Sequence, residues 1–203
     1  MFIEKLNKSV ILTYISVVIG TVGMYLALES SAEDALICLI IAGILDLFDG
    51  VVARKIKRTE KQRSFGVEID SLCDVINFLI LPVIIFLGIG LNKWYHIIVL
   101  IAFVLAGVTR LAHFNVLVAK KDTSKPVKYY EGLPVTYIAL IMPAIYLIRN
   151  ICIYKTFTNI FTVAMLGVAI MYILNIKIVK PRGKAYIGLP VFGIILIIAL
   201  TIM

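Results

Sequence analysis

The sequence predicts an all-α polytopic membrane protein, a bundle of six to eight transmembrane helices with seven the best count. Composition is the first reason. Of 203 residues 62% are hydrophobic and 16% charged, and mean hydropathy is +1.04, whereas soluble domains carry about 25% charged residues. The second reason is length: apolar runs of about 18 or more residues can cross a hydrocarbon core. Such runs fall at roughly 9–28, 34–53, 66–90, 94–118, 133–149, 157–176 and 186–203. In lipid each segment must satisfy its own backbone groups, so these runs are expected to be helices.

The spacers between runs orient them, because basic residues accumulate in cytoplasmic loops. Lys5 and Lys8 precede the first run, which is too long for a signal-peptide core and serves as a span. Arg54, Lys55, Lys57, Arg58, Lys61 and Arg63 separate the second and third runs. Lys120, Lys121, Lys125 and Lys128 follow the fourth, and Lys177, Lys180, Arg182 and Lys184 follow the sixth. The opposite side receives Lys93, Arg149 and Lys155, so sixteen basic residues against three put the N-terminus and the three basic loops in the cytoplasm. Seven spans then leave the C-terminus outside. The net charge of +8 is thereby a matter of topology, which argues against a nucleic-acid partner, and the basic loops are expected beside anionic membrane lipids.

Short loops without a Ser/Gly/Pro linker make residues 1–203 a single domain. "YEGLPV" (130–135) and "YIGLPV" (186–191) each follow a basic loop and are expected to open a helix, with proline in the first turn. Cys38, Cys73 and Cys152 lie in apolar stretches without CxxC spacing and read as unpaired thiols. Ala102, Ala106 and Gly107 form a small-residue patch of the kind that lets membrane helices approach. Trp94 suits an aromatic belt, and His96 and His113 read as interfacial.

Four of the six aspartates sit in or beside the second and third runs. Asp46 and Asp49 are three apart and Asp70 and Asp74 four apart, spacings that put side chains on one helix face. Topology carries both pairs to the same depth. Crowded carboxylates repel one another, and a divalent cation resolves that conflict; hard oxygen ligands suit Mg²⁺, Mn²⁺ or Ca²⁺. Four carboxylates suffice for two ions, an arrangement used for displacement at phosphorus. Gly50 beside Asp49, and Gly66 one turn before Asp70, let a flat or bulky ligand approach the backbone. Arg54 is placed to meet a phosphate or to neutralise a carboxylate. The bland alternative is a charge cluster that merely ends two helices.

These residues resemble the signature of the CDP-alcohol phosphatidyltransferase family, D-x-x-D-G-x-x-A-R followed by G-x-x-x-D-x-x-x-D. Asp46, Asp49, Gly50, Ala53, Arg54, Gly66, Asp70 and Asp74 fill every fixed position. The usual eight-residue spacer is here eleven, residues 55–65. "RLAHFNV" (110–116), "EGLP" (131–134) and "LNKSVILT" (6–13) resemble segments of the membrane-integral serine-accepting branch, the CDP-diacylglycerol–serine O-phosphatidyltransferases, with His113 in place of the usual arginine.

The resemblance implies an enzyme whose active site lies at the cytoplasmic interface of the cell membrane. A CDP-linked lipid, of the CDP-diacylglycerol or CDP-archaeol type, would give its phosphatidyl or ether-lipid group to L-serine with release of CMP. It implies two divalent cations, Mg²⁺ or Mn²⁺, on Asp46, Asp49, Asp70 and Asp74, with Asp74 also the general base. It further implies CDP-lipid contacts from Thr13, Asp49, Gly50, Ala53, Arg54 and Gly66, and a homodimer. Arg110 has two readings, a bidentate partner for the serine carboxylate or a snorkelling side chain; Asn115 and Glu131 are lesser candidates for the same pocket. Two rivals stand. One is the same transfer to glycerol 3-phosphate or an inositol phosphate, and the other is a cation transporter with intramembrane carboxylates.

Overall fold

The computed structural model describes residues 10–56, 58–120, 129–179 and 185–203. Helix α1 (Ile11–Leu28) and α2 (Ala32–Lys55) form a hairpin. Its turn closes with the Ser31 amide on the Leu26 carbonyl (2.9 Å) and Ser30 in the left-handed region (φ 66°), a helix ending that glycine usually occupies. The buried face of α1 consists of Thr13, Ser16, Gly20, Gly23 and Ala27, whereas Ile11, Ile15, Val18, Val22, Tyr25 and Leu28 point outward. Large side chains gain nothing by leaving lipid, so the small ones take the contact and the backbones approach closely.

Helix α3 (Glu60–Val75) begins on a capping box: Thr59 Oγ1 accepts from the Gln62 amide, and Gln62 Oε1 accepts from the Thr59 amide. It therefore starts six residues before the expected third run. It continues through a π turn (Ile76–Ile80) into α4 (Leu81–Gly88), where the Leu81 amide bonds five residues back to Ile76. The cause sits next door. Pro82 offers no N–H and crowds the carbonyl four residues before it, and the wider turn relieves that conflict. Phe78, Leu79, Leu81, Ile85 and Phe86 of this segment are fully buried, at the centre of the bundle.

Helix α5 (Trp94–Lys120) runs back along it. Most of its small patch is used within the chain, since Gly107 lies against the Leu79 side chain and Ala106 is buried. After α5 the chain forms β1 (Tyr129–Glu131), then a 3₁₀ turn (Val135–Tyr137) into α6 (Ile138–Tyr146), and a second 3₁₀ turn (Leu147–Asn150). Helix α7 (Tyr154–Ile173) leads to β2 (Lys177–Val179), antiparallel to β1 with Tyr130 opposite Ile178, and α8 (Ala185–Thr201) ends the fold. This two-stranded ribbon was not expected from hydropathy.

Among the described residues five helical segments are long and apolar enough to cross a membrane: Ile11–Leu28, Ala32–Ala53, Glu60–Gly88, Trp94–Leu117 and Tyr154–Ile173. The remaining two expected runs are the shorter apolar helices Val135–Asn150 and Tyr186–Thr201. One expectation is corrected: Pro134 does precede a helical turn, but Pro190 lies inside α8, so the second GLPV does not open its helix. His96, in the first turn of α5, is buried against Phe86 and accepts from the Lys93 amide through Nδ1 (3.3 Å). Trp94 is exposed, and the three cysteines are free. The basic residues Lys5, Lys8, Lys57, Lys121, Lys125, Lys128, Lys180, Arg182 and Lys184 lie outside the described residues.

At the end of the bundle away from the aspartates, Arg149 Nη1 and Tyr146 Oη both donate to Glu33 Oε1 (3.0 and 2.6 Å). This links the start of α2 to the end of α6.

Close backbone packing generates a paired prediction. A Cβ at Gly88 would run into the Ala27 carbonyl, and backbone cannot rotate away, whereas one at Gly167 meets nothing within 4 Å. Gly88→Ala should cost about 1–3 kcal/mol by overpacking. Gly167→Ala should be neutral or stabilising by up to about 1 kcal/mol from helix propensity. Thermal unfolding in detergent measures both, and equal melting temperatures for the two variants would contradict the packing.

Candidate active site

The C-terminal half of α2 and the face of α3 turned toward it carry the signature residues. Asp46, Asp49 and Asp70 each offer a carboxylate oxygen, and these oxygens lie within 4.8 Å of one another. Asp74 lines the same cavity, with its carboxyl in hydrogen-bonding range of Asp46, as Asp70 is of Asp49. The donors are hard oxygens with no imidazole or thiolate among them, which fits Mg²⁺, Mn²⁺ or Ca²⁺ better than zinc.

A buried hydrogen-bond chain ties this cluster to α1. Thr13 Oγ1 donates to Asp49 Oδ2 (3.0 Å), and Asp49 is itself buried. Ser16 Oγ donates to the Thr13 carbonyl (2.7 Å), and Asn77 Nδ2, from the π turn, donates to Ser16 Oγ (3.0 Å). Gly20 leaves the space that Asn77 occupies. Three elements thus converge on one carboxylate.

Three cavities meet at the cluster. The first, about 170 Å³, is lined by all four aspartates together with Arg110 and Pro134. The second, about 200 Å³, shares Asp49 and Asp70 with the first and is walled by Thr13, Gly50, Ala53 and Gly66. The third, about 190 Å³, runs between α2, α6 and α8 along Ile40, Ile44, Leu140 and Leu189, and reaches Asp46 and Gly50 at one end. A polar cavity, a small-walled cavity and an apolar cavity therefore share one set of carboxylates.

Arg110 is buried and does not snorkel. Its Nε donates to the Leu133 carbonyl and its Nη2 to the Gly132 carbonyl, both at 3.2 Å. Gly132 (φ 87°) is the position where only glycine serves: a Cβ there would stand 3.1 Å from Arg110 Nε and from the Tyr172 and Leu174 carbonyls. The Gly132 amide bonds the Ile176 carbonyl, so the segment before α6 is strapped to the end of α7.

Other candidates fall elsewhere. Asn115 exchanges hydrogen bonds with Ser71 (2.8 and 3.0 Å), joining α5 to α3, and does not line the first cavity. His113 is exposed on α5. The side chains of Arg54 and Glu131 lie outside what the structure describes. Reading the sequence missed Ser16, Asn77 and Arg58. Asn77 had a signal, a lone amide within an apolar run, while Arg58 is one of six basic residues in its loop.

An aspartate cluster thus opens on three cavities at one end of an apolar helical bundle. Residues 6–179 match the family model for CDP-alcohol phosphatidyltransferase, and the chain belongs to that family. Over 109 residues it is 41% identical to the CDP-diacylglycerol–serine O-phosphatidyltransferase of Saccharomyces cerevisiae, covering 52% of this chain and 38% of that protein. Archaetidylserine synthase of Methanothermobacter thermautotrophicus is 33% identical over 129 residues, 63% of this chain and 52% of its own. The CDP-diacylglycerol–serine O-phosphatidyltransferase of Helicobacter pylori is 34% identical over 140 residues, 66% and 55%. The chain spans about half the length of the curated relatives it matches.

The hydrogen-bond chain yields a prediction. Thr13→Val removes the donor to Asp49 and leaves the volume nearly unchanged. Loss of a partner that orients a ligand typically costs about 10–100-fold in metal affinity. Mn²⁺ binding to the purified variant, followed by electron paramagnetic resonance, should weaken by that order. Unchanged affinity would show that Thr13 does not hold Asp49 in place.

Proposed function

We propose that this protein transfers the phosphatidyl, or ether-lipid equivalent, group of a CDP-linked lipid to the hydroxyl of L-serine, releasing CMP. The observation that carries the reading is the meeting of three unlike cavities at one carboxylate cluster. The substrates have the same three parts: a flat nucleotide, apolar tails and a small zwitterion, joined where the phosphorus reacts. The small-walled cavity suits the nucleotide, the apolar cavity the tails, and the Arg110 cavity the serine.

In the reaction the serine oxygen forms a bond to the lipid-side phosphorus. The bond from that phosphorus to the CMP oxygen breaks, and the hydroxyl proton passes to Asp74. Divalent cations on Asp46, Asp49, Asp70 and Asp74 would offset the negative charge of the diphosphate and of the departing CMP. Arg110, fixed by two backbone carbonyls, receives the serine carboxylate, and Thr13 keeps Asp49 oriented. Among the described residues Arg110 is the single basic side chain lining that cavity. That favours serine over glycerol 3-phosphate or an inositol phosphate, whose phosphate dianions call for more than one cation. The transporter reading is weaker, since transporters place their ion sites near the bilayer midplane, whereas this cluster lies toward one end of the bundle. The excess of basic residues at the same end supports a cytoplasmic site in the cell membrane, with the N-terminus on that side. A homodimer is retained on family resemblance alone, because Ala106 and Gly107 are used within the protomer.

Purified protein with CDP-diacylglycerol tests the reading. CMP release should require serine, stop in excess chelator, and return with Mg²⁺ or Mn²⁺; release driven by glycerol 3-phosphate and not by serine would reassign the acceptor. Asp74→Asn keeps an oxygen but cannot take the proton, so kcat should fall about 10²–10⁴-fold while Mn²⁺ still binds. Near-complete rescue of that variant by added Mg²⁺ would make Asp74 chiefly a metal ligand.

Arg110→Lys separates the acceptor from the lipid. A lysine cannot hold two carbonyls and a carboxylate in one plane. Loss of a hydrogen bond to a charged group is worth about tenfold or more. The serine KM should rise by that factor with the CDP-lipid KM near wild type; the reverse split would remove Arg110 from the serine pocket.

A further inference from the structure

We infer that Arg58, outside the signature and in the segment between its two halves, is a nucleotide-binding residue. This rests on the proposed use of a CDP-linked lipid. Arg58 lines the small-walled cavity together with Thr13, Asp49, Gly50, Ala53 and Gly66. Its Nη1 lies 3.5 Å from the point a Cβ on Gly66 would occupy, so the guanidinium lies across the glycine that opens the cavity. The next residue, Thr59, is the capped start of α3.

Charge makes the case. Without Arg58 the described ionisable groups facing this cavity are Asp49 and Asp70, both acidic. The cations proposed on Asp49 and Asp70 would offset the charge of that wall, and Arg58 faces the nucleotide from the segment before α3. A guanidinium supplies the opposite charge, donors in a fork that matches phosphate, and a flat face for stacking on a pyrimidine. No other described basic side chain lines the cavity. Arg63, in the same basic stretch, is exposed and lines none of the three.

CMP binding to the full-length protein in detergent with Mg²⁺, measured by titration calorimetry, tests this. Arg58→Ala should weaken CMP about tenfold and raise the CDP-lipid KM similarly, with the serine KM and the melting temperature near wild type. Arg58→Lys should recover part of the affinity, and Arg63→Ala should have no effect. Equal losses from Arg58→Ala and Arg63→Ala would reduce Arg58 to a diffuse surface charge and overturn the assignment. Unchanged CMP affinity in Arg58→Ala would do the same. Wild-type protein that binds no CMP would instead remove the nucleotide reading of the site, and this inference with it.

Discussion

Asp46, Asp49 and Asp70 bring oxygens within 4.8 Å of one another across a gap between α2 and α3, whose backbones scarcely touch while α1 packs against both. How closely α1 can bridge the two is set largely by what it lacks. None of its fully buried residues is larger than threonine, with Met24 and Leu26 packed at the edge of that face, so it lies close to α2 and to the π turn. A hydrocarbon solvent makes this arrangement cheap, because large residues lose nothing by facing lipid. From that contact Thr13 reaches Asp49, Ser16 reaches back to the Thr13 carbonyl, and Asn77 reaches Ser16. One small-residue helix therefore acts both as packing and as the support of a carboxylate.

The opposite wall of the site solves a different problem. A buried arginine facing four aspartates could simply pair with them and fill the cavity. Here two of its donors are committed to the Gly132 and Leu133 carbonyls, which holds the guanidinium plane in a fixed direction. Those carbonyls are in turn held by the Gly132 amide bond to Ile176 and by the β1–β2 ribbon. Arg110 of α5 and the end of α7 are thus joined through the irregular chain at Gly132 and Leu133, and irregular backbone at this depth is tolerated where protein buries it. Backbone hydrogen bonds hold this wall.

Much of this was readable in the sequence, for reasons that differ by residue. Spacings of three and four fix helix faces locally, so the convergence of Asp46, Asp49, Asp70 and Asp74 followed once α2 and α3 were placed antiparallel. The stripe Thr13, Ser16, Gly20, Gly23, Ala27 has equally regular spacing, but mean hydropathy treats inward and outward faces alike. Pro190 misled because a proline is tolerated inside an apolar helix as well as at its start. The patch at Ala106 and Gly107 signalled close approach correctly, yet sequence does not say whether the approaching partner is another protomer or, as found, Leu79. Arg58 was indistinguishable from its five basic neighbours, since its placement depends on where the Thr59 cap starts α3.

That cap connects the loop to the site. The spacer between Arg54 and Gly66 is three residues longer than the family pattern it resembles, and its last six residues, from Glu60, belong to α3. Extra residues taken up as helix preserve the register of Gly66, Asp70 and Asp74, whereas extra residues taken up as loop would leave their approach to α2 less defined. Thr59 and Gln62 satisfy two amides that would otherwise be unpaired at the helix start. The same bonds that terminate the loop also decide which basic residue stands at its end, against Gly66. Loop length, helix start and cavity charge are in this way one structural variable.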